Sequence, residues 1–377
     1  MTIVHDENGA ISCISRILSQ TKPASILLFH GNSSYIQSGA KESIEPQLSG
    51  YKVIHLSGFS KSTTLADVVK AIEVMRKNSI DFIIAVGGGA VMDVAKSASL
   101  LCNEKGDAKE YILGKKKSSG NNIKRILIPT TAGTGAEITP FSAVYVDKIK
   151  YSLAHPKMVP EHVILAPELT YHLGQRITAQ AGCDAIAQAI EGYWSVHATG
   201  KSKSYSEQAL SLLLPSIRKA VLSPTPECRR SMLFGAHYAG KSIAIAKTTA
   251  AHAMSYPLTS FHNIPHGHAV MLTLPYFFPI NESADDGNIQ QKFSLVEARK
   301  TFQGILKLLV VKTGKEARDM LLTLLSDIHL EQKLSQLGVK ESDLSNIVDH
   351  GFNPDRVANN PVRITKETEM EILRAIL

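Results

Sequence analysis

The sequence predicts an α/β domain built on a parallel sheet, followed by a domain made of helices. Three observations carry this: a length of 377 residues, short apolar runs alternating with helical patterns in the first half, and a change of character near residue 176. A chain of this length exceeds one small core and suits two domains. The expected division is residues 1–176 and residues 177–377, packed firmly because no flexible linker separates them.

The expected strands are residues 25–29 (SILLF), 53–56 (VIHL), 81–86 (DFIIAV), 126–128 and 163–166. Residues 64–77 and 90–100 between them have helical spacing. Apolar strands alternating with helices imply a parallel sheet covered on both faces. Beyond residue 176 convincing strands disappear, and residues 177–196, 205–221, 230–246, 292–313 and 317–325 read as amphipathic or buried helices. Residues 353–377 form a turn-rich approach to one last helix.

Composition narrows the function classes. Hydrophobic residues make up 44% and charged residues 20%, which fits a globular protein and excludes disorder. No apolar run approaches the roughly 20 residues a membrane helix needs. The start, MTIVHDENGA, lacks a basic segment and an apolar core, so a cytoplasmic location is expected. Cys13, Cys102, Cys183 and Cys228 form no C-x-x-C pair and read as buried thiols. The net charge of +7 includes local clusters such as Lys115, Lys116 and Lys117. With 6% aromatic residues, and none interleaved with the basic segments, nucleic-acid binding is not expected. Solvated basic faces and a site for an anionic cofactor or substrate explain the charge.

Two loops carry phosphate-binding character. In DFIIAVGGGAVMDVAK, Gly87, Gly88 and Gly89 follow an apolar strand and precede a helix. Such a loop lets the backbone approach a phosphate, and the helix N-terminus adds N–H donors and a favourable dipole. Asp93 is expected in the first turn of that helix, where it could meet a ribose or nicotinamide group. In IPTTAGTGAE, Thr130, Thr131 and Thr134 crowd hydroxyls and glycines into another loop after a strand. Either loop alone could be a solvated turn; two on neighbouring strands point to a dinucleotide.

GGGAVMDVAK and PTTAGTGAE resemble the two hallmark motifs of the iron-containing alcohol dehydrogenases, usually GGGSxxDxAK and PTTxGTGSE. IPHGHA and NNPVRIT also fit, so the resemblance runs from about residue 25 to the end. It implies a dehydroquinate synthase-like fold, with a nucleotide-binding α/β domain, an all-α C-terminal domain and usually a divalent metal in the cleft between them. It also implies NADH- or NADPH-dependent chemistry on alcohols and aldehydes, in homodimers or larger homo-oligomers. By resemblance, Gly87, Gly88, Gly89, Thr130, Thr131 and Thr134 hold the dinucleotide, and Lys150 matches a lysine near the nicotinamide ribose. Ala90 and Ala136 replace the usual serines. Family members that prefer NAD often carry an Asp at the end of the first strand; here the run is Phe29-His30-Gly31-Asn32, which admits the 2′-phosphate of NADPH.

The family's metal set is one Asp and three His. Asp184, His252 and His266 match, and Gln188 stands where the first His would be. Asp184 and Gln188 are four apart and share a helix face. A carboxylate and imidazoles suit Fe²⁺ or Zn²⁺. A further family His is replaced by Tyr256, a candidate proton donor with His262.

DAIAQAIEGYWS, KTTAAHAMSYPLTS and IPHGHAV are similar to the branch of hydroxyethylphosphonate dehydrogenases, which reduce phosphonoacetaldehyde. A phosphonate needs cationic partners, and Lys241, Lys247 and His268 are the candidates. General medium-chain alcohol dehydrogenases, polyol dehydrogenases, metal-free reductases of the maleylacetate type and a non-catalytic nucleotide-binding protein remain as alternatives.

Overall fold

The computed structural model describes residues 2–291 and 293–377. The chain divides between Leu173 and Gly174 into two compact units. Gly174 is the N-cap of a long helix that starts at Gln175, so residues 174–176 belong to the helical unit.

The first unit contains β1 (Ile3–His5), β2 (Ile26–His30), β3 (Val53–Leu56), β4 (Phe82–Gly87), β5 (Lys124–Pro129), β6 (Phe141–Val146), β7 (Ile149–Ala154) and β8 (His162–Ile164). Its helices are α1 (Cys13–Thr21), α2 (Asn32–Gln37), α3 (Ala40–Ile44), α4 (Leu65–Lys77), α5 (Gly89–Leu101) and α6 (Ala108–Ile112). Six strands pair in parallel in the order β1-β8-β5-β4-β2-β3. The order reverses between β2 and β4, the kind of position where open α/β sheets bind ligands at the carboxyl ends of their strands.

Successive side chains leave opposite faces of a strand. Leu27, Phe29, Ile83, Ala85 and Leu127 therefore join α4 and α5 in one core, while Ile26, Leu28, Phe82, Ile84, Ile126 and Ile128 join α1 in another. Burial on both faces is why these strands read as continuous apolar runs. The expected strands appear with ends shifted by up to two residues. β1 and the antiparallel pair β6–β7 were not expected. The pair is joined through Asp147 and Lys148, both at positive φ (51° and 65°), a two-residue turn made without glycine.

The second unit contains α7 (Gln175–Trp194), α8 (Gly200–Leu222), α9 (Pro226–Ala246), α10 (Ala250–His262), α11 (His266–Glu282), α12 (Leu295–Leu308), α13 (Gly314–Asp327), α14 (Leu344–Gly351), α15 (Pro354–Val357) and α16 (Lys366–Ala375). α7 is buried continuously from Gly182 to Trp194, as the central helix of the unit. Side-chain caps fix several starts: Thr199 with Ser202 for α8, and Thr225 before Pro226 for α9. The helix expected over 292–313 is shorter. Lys292 lies outside the described residues, α12 starts behind the Ser294 cap, and Val310 at φ 59° follows its end. Thr313 instead caps α13 through the Glu316 N–H at 3.1 Å. The four cysteines are buried and free, and no helix among the described residues is long and apolar enough to cross a membrane.

Glu369 on α16 is 1% exposed, and its Oε1 makes no hydrogen bond among the described residues. Burial pushes its carboxyl up to about 8, against 4.5 for an unperturbed one, with Lys366 opposing weakly. The folded state thus keeps a proton that the unfolded chain releases, and this contribution is complete below pH 4.5 and lost as pH rises through 8. Glu369→Gln is expected to match the parent near pH 4.5. At pH 9 it should be more stable by about 1–3 kcal/mol, read as melting temperature against pH; a pH-independent difference would contradict this.

Candidate active site

In the first unit the two phosphate-type loops leave neighbouring strands at the same edge. Gly87 of β4 pairs in register with Pro129 of β5, and the Thr130 N–H donates to the Gly87 carbonyl at 3.0 Å. Gly88 caps α5. A Cβ on Gly89 would lie 2.8 Å from Thr134 Cγ2, so only glycine lets the loops touch. Thr131 lies against Gly88, and Thr134 Oγ1 accepts from the Ala136 N–H at 3.2 Å. Backbone amides, threonine hydroxyls and a helix N-terminus thus share one floor, the chemistry a pyrophosphate needs.

α5 begins at Gly89, which puts Asp93 in its second turn and not its first. Its carboxylate accepts the Ala143 N–H at 3.0 Å and meets Lys96 at 3.4 Å, tying α5 to β6. Burial raises the Asp93 pKa, while Lys96 and Lys150 oppose the rise. Lys150 on β7 is therefore electrostatically coupled to this corner. Lys96 itself was not singled out from the sequence. It is fully buried, and its ammonium donates to the Ala136 carbonyl at 2.8 Å, Thr139 Oγ1 at 3.0 Å and the Phe141 carbonyl. A lysine on the apolar side of a helix was the signal available. At the end of β2, His30 Nε2 faces His55 Nδ1 at 3.3 Å.

The second unit assembles the metal-type residues. Asp184 and Gln188 are one turn apart on α7, His252 lies in the first turn of α10, and His266 opens α11. Asp184, His252 and His266 each offer a ligand atom within 4.8 Å of the others. Asp184 Oδ1 is 3.4 Å from His252 Nε2 and 4.0 Å from His266 Nε2. Asp184 and His252 are buried, and His266 is partly open at 27%. Asp184 Oδ1 and His252 Nε2 are buried and make no hydrogen bond among the described residues. Gln188 hydrogen-bonds to Asp184.

Close packing makes this convergence possible. A Cβ on Gly267 would come within 2.0 Å of the Gln180 carbonyl and 2.8 Å of Asp184 Cβ, so the start of α11 lies against α7 only through glycine. Ser255 Oγ donates to the His252 carbonyl at 2.6 Å and meets His266 Nδ1 at 3.2 Å. Glu191, not assigned a role in the sequence, is hydrogen-bonded to His252 Nδ1. It lies seven residues after Asp184 on the same α7 face, which was the signal for it.

The electrostatics call for a cation. Burial disfavours charge on His252, but Glu191 and Asp184 outweigh it and raise its pKa to about 10. Burial likewise works against the Asp184 charge, yet His252 and His266 hold its pKa below the usual carboxylate value. Two buried carboxylates around one ring retain a proton there, or a metal ion in its place. Orphaned atoms, a carboxylate, two imidazoles and an amide fit Fe²⁺ or Zn²⁺.

The other expected site residues have distinct places. Tyr256 stacks beside His266, ring centroids 6.1 Å apart. His262 ends α10, with Nε2 buried and making no hydrogen bond among the described residues. Lys241 sits over the rings of Tyr205 and Tyr238, 5.2 and 5.4 Å from their centroids. Lys247 is exposed at the end of α9 with φ 62°. His268 is fully buried, with Nε2 2.7 Å from the Glu331 carbonyl.

Comparison with known proteins decides the family. The pattern described as iron-containing alcohol dehydrogenase matches residues 2–167, and that of the Fe-containing alcohol dehydrogenase C-terminal domain matches residues 178–377. The chain belongs to the iron-containing alcohol dehydrogenase family. As such it is an oxidoreductase of alcohols and aldehydes that uses a nicotinamide dinucleotide. The dehydrogenase is 28% identical to long-chain-alcohol dehydrogenase 1 of Geobacillus thermodenitrificans, over 83% of this chain and 79% of that one. It is 33% identical to phosphonoacetaldehyde reductase of Streptomyces viridochromogenes, over 60% of each chain. Its structure matches sulfoacetaldehyde reductase of Bifidobacterium kashiwanohense in complex with NAD⁺, with TM-score 0.88, 29% identity and coverage of 100% and 96%.

The dehydrogenase's Lys96 offers a direct test of the loop floor. Lys96→Met would remove the Lys96 ammonium from the Ala136 and Phe141 carbonyls and take from Asp93 the nearer of its two counter-charges. The expected cost is about 3–5 kcal/mol of stability, together with at least about tenfold weaker dinucleotide binding. Thermal unfolding and NADPH titration check it; unchanged NADPH affinity in a destabilised variant would separate Lys96 from the loop.

Proposed function

We propose that the enzyme reduces a small anionic aldehyde, phosphonoacetaldehyde before others, to its alcohol, 2-hydroxyethylphosphonate, or runs the reverse reaction. The observation that carries the chemistry is the cluster of buried Asp184 and His252 with partly open His266, in which Asp184 Oδ1 and His252 Nε2 make no hydrogen bond among the described residues. Support for the substrate comes from the similarity to reductases named for phosphonoacetaldehyde and sulfoacetaldehyde, both aldehydes that carry an anionic group. The end of β2 at His30, free of a carboxylate, supports NADPH. With this reading go a cytoplasmic location and assembly of identical subunits.

Gly87, Gly88, Gly89, Thr130, Thr131 and Thr134 bind and orient the dinucleotide, with Asp93 and Lys150 beside them. A divalent metal, held by Asp184, His252, His266 and the Gln188 amide, supplies Lewis-acid polarisation of the carbonyl when bound. The dinucleotide bound there would supply the hydride for the carbonyl carbon and would itself be oxidised, with the carbonyl π pair moving to oxygen. Tyr256 or His262, directly or through water, delivers the proton that completes the alcohol.

Lys247 is the residue assigned to the phosphonate. Lys241 already rests on tyrosine rings and His268 on Glu331, whereas Lys247 is exposed five residues before His252. Its φ of 62° and ψ of 170° lie in a region used almost wholly by glycine, at a cost of about 1–3 kcal/mol. Strain of this kind clusters at functional positions.

NADPH oxidation with phosphonoacetaldehyde and with propionaldehyde, with and without added Fe²⁺ or Zn²⁺, tests the proposal. The phosphonate is expected to win in kcat/KM by roughly 10–100-fold, the worth of one or two charge-assisted hydrogen bonds. Lys247→Ala should erase most of that preference, and Asp184→Ala or His266→Ala should lower turnover at least about a hundredfold. Equal rates on both aldehydes would remove the phosphonate and leave the family untouched.

A further inference from the structure

The carboxylate of Glu191 is fully buried and surrounded by four donors. Its Oε1 accepts from the Thr249 hydroxyl at 2.6 Å, the Ala251 N–H at 3.0 Å and the His252 N–H at 3.3 Å. Its Oε2 accepts from His252 Nδ1–H. The direction at Thr249 is fixed, because the Trp194 indole N–H donates to Thr249 Oγ1 at 3.1 Å and leaves that hydroxyl to donate onward. The amides of Ala251 and His252 belong to the first turn of α10, whose own N-cap Thr249 makes no side-chain cap bond. A carboxylate from α7 therefore caps α10 from outside, where the helix dipole favours negative charge.

We propose that Glu191 is the positioning residue of the metal site, holding the proton on His252 Nδ1 so that Nε2, beside Asp184, is the nitrogen left for a metal ion. This rests on the metal-dependent reading given above. Donation from Nδ1 orients the ring and directs Nε2 to within 3.4 Å of Asp184 Oδ1. The same carboxylate fixes the backbone of His252, so ring and main chain are set by one group. Carboxylate partners of this kind raise the basicity of a ligating imidazole. Only a carboxylate can do both tasks. An amide has one acceptor oxygen, so in Glu191→Gln either the α10 cap or His252 Nδ1 would face an NH₂ group.

The test uses the full chain stripped of metal, with Co²⁺ as the probe. Glu191→Gln is expected to bind Co²⁺ about 10–100-fold more weakly in competition with a chelator. Its visible d–d absorption should change, while NADPH affinity stays at the parent value. In Zn²⁺-loaded protein carrying ¹⁵N-histidine, the parent should show a strongly deshielded His252 Nδ1 proton, lost in the variant. The parent spectrum decides the point even if the variant does not fold. A His252 ring protonated at Nε2 in the Zn²⁺-loaded parent, or parent-like Co²⁺ affinity in Glu191→Gln, would overturn the proposal. A parent that binds neither metal overturns the metal reading and this inference with it.

Discussion

A carboxylate withdrawn from water must be met by donors or by positive charge, and α7 buries two of them on one face. Glu191 is saturated by hydroxyl, amide and imidazole donors. Asp184, at similar depth, keeps an oxygen with no hydrogen bond, turned toward an equally unbonded imidazole nitrogen. The contrast separates two jobs on one helix: the first carboxylate anchors structure, and the second awaits a cation. The rest of the unit serves that arrangement. Gly267 lets α11 approach α7, and Gly192 of α7 gives room to Ser242 of α9.

The first unit solves a mirrored problem with a buried ammonium. Lys96 spreads its donors over the segment from Ala136 to Phe141, and Asp93 balances its charge. The loop after β5 is thus shaped through its own carbonyls. This explains why Ala136 is tolerated where the family usually has serine. Position 136 contributes a carbonyl to Lys96 and an N–H to Thr134, and neither needs a hydroxyl.

The fold was legible where one physical signal dominated. Runs such as DFIIAV are buried on both faces and could scarcely be anything but central strands. β6 alternates buried and half-buried residues, β7 buries only Leu153, and their Asp147–Lys148 turn lacks the glycine that marks most such turns. α10 and α11 carry Pro257, Pro275 and Pro279, residues that argue against a helix until tertiary packing overrides them. In the site, Asp184, His252 and His266 were readable because they sit in motifs. Glu191 and Lys96 were not, because a charged residue in an apolar helix reveals that it needs partners without revealing which. Asp93 was placed one turn too early because the helix starts within the glycine run, at Gly89.

The chain contains one tryptophan. Trp194 is buried edge-on to Phe278, and its indole N–H begins the hydrogen-bonded path through Thr249 and Glu191 to His252. Indole emission shifts with local polarity and hydrogen bonding, so the protein carries an intrinsic optical reporter wired to His252. No label needs to be attached to follow events at that ring.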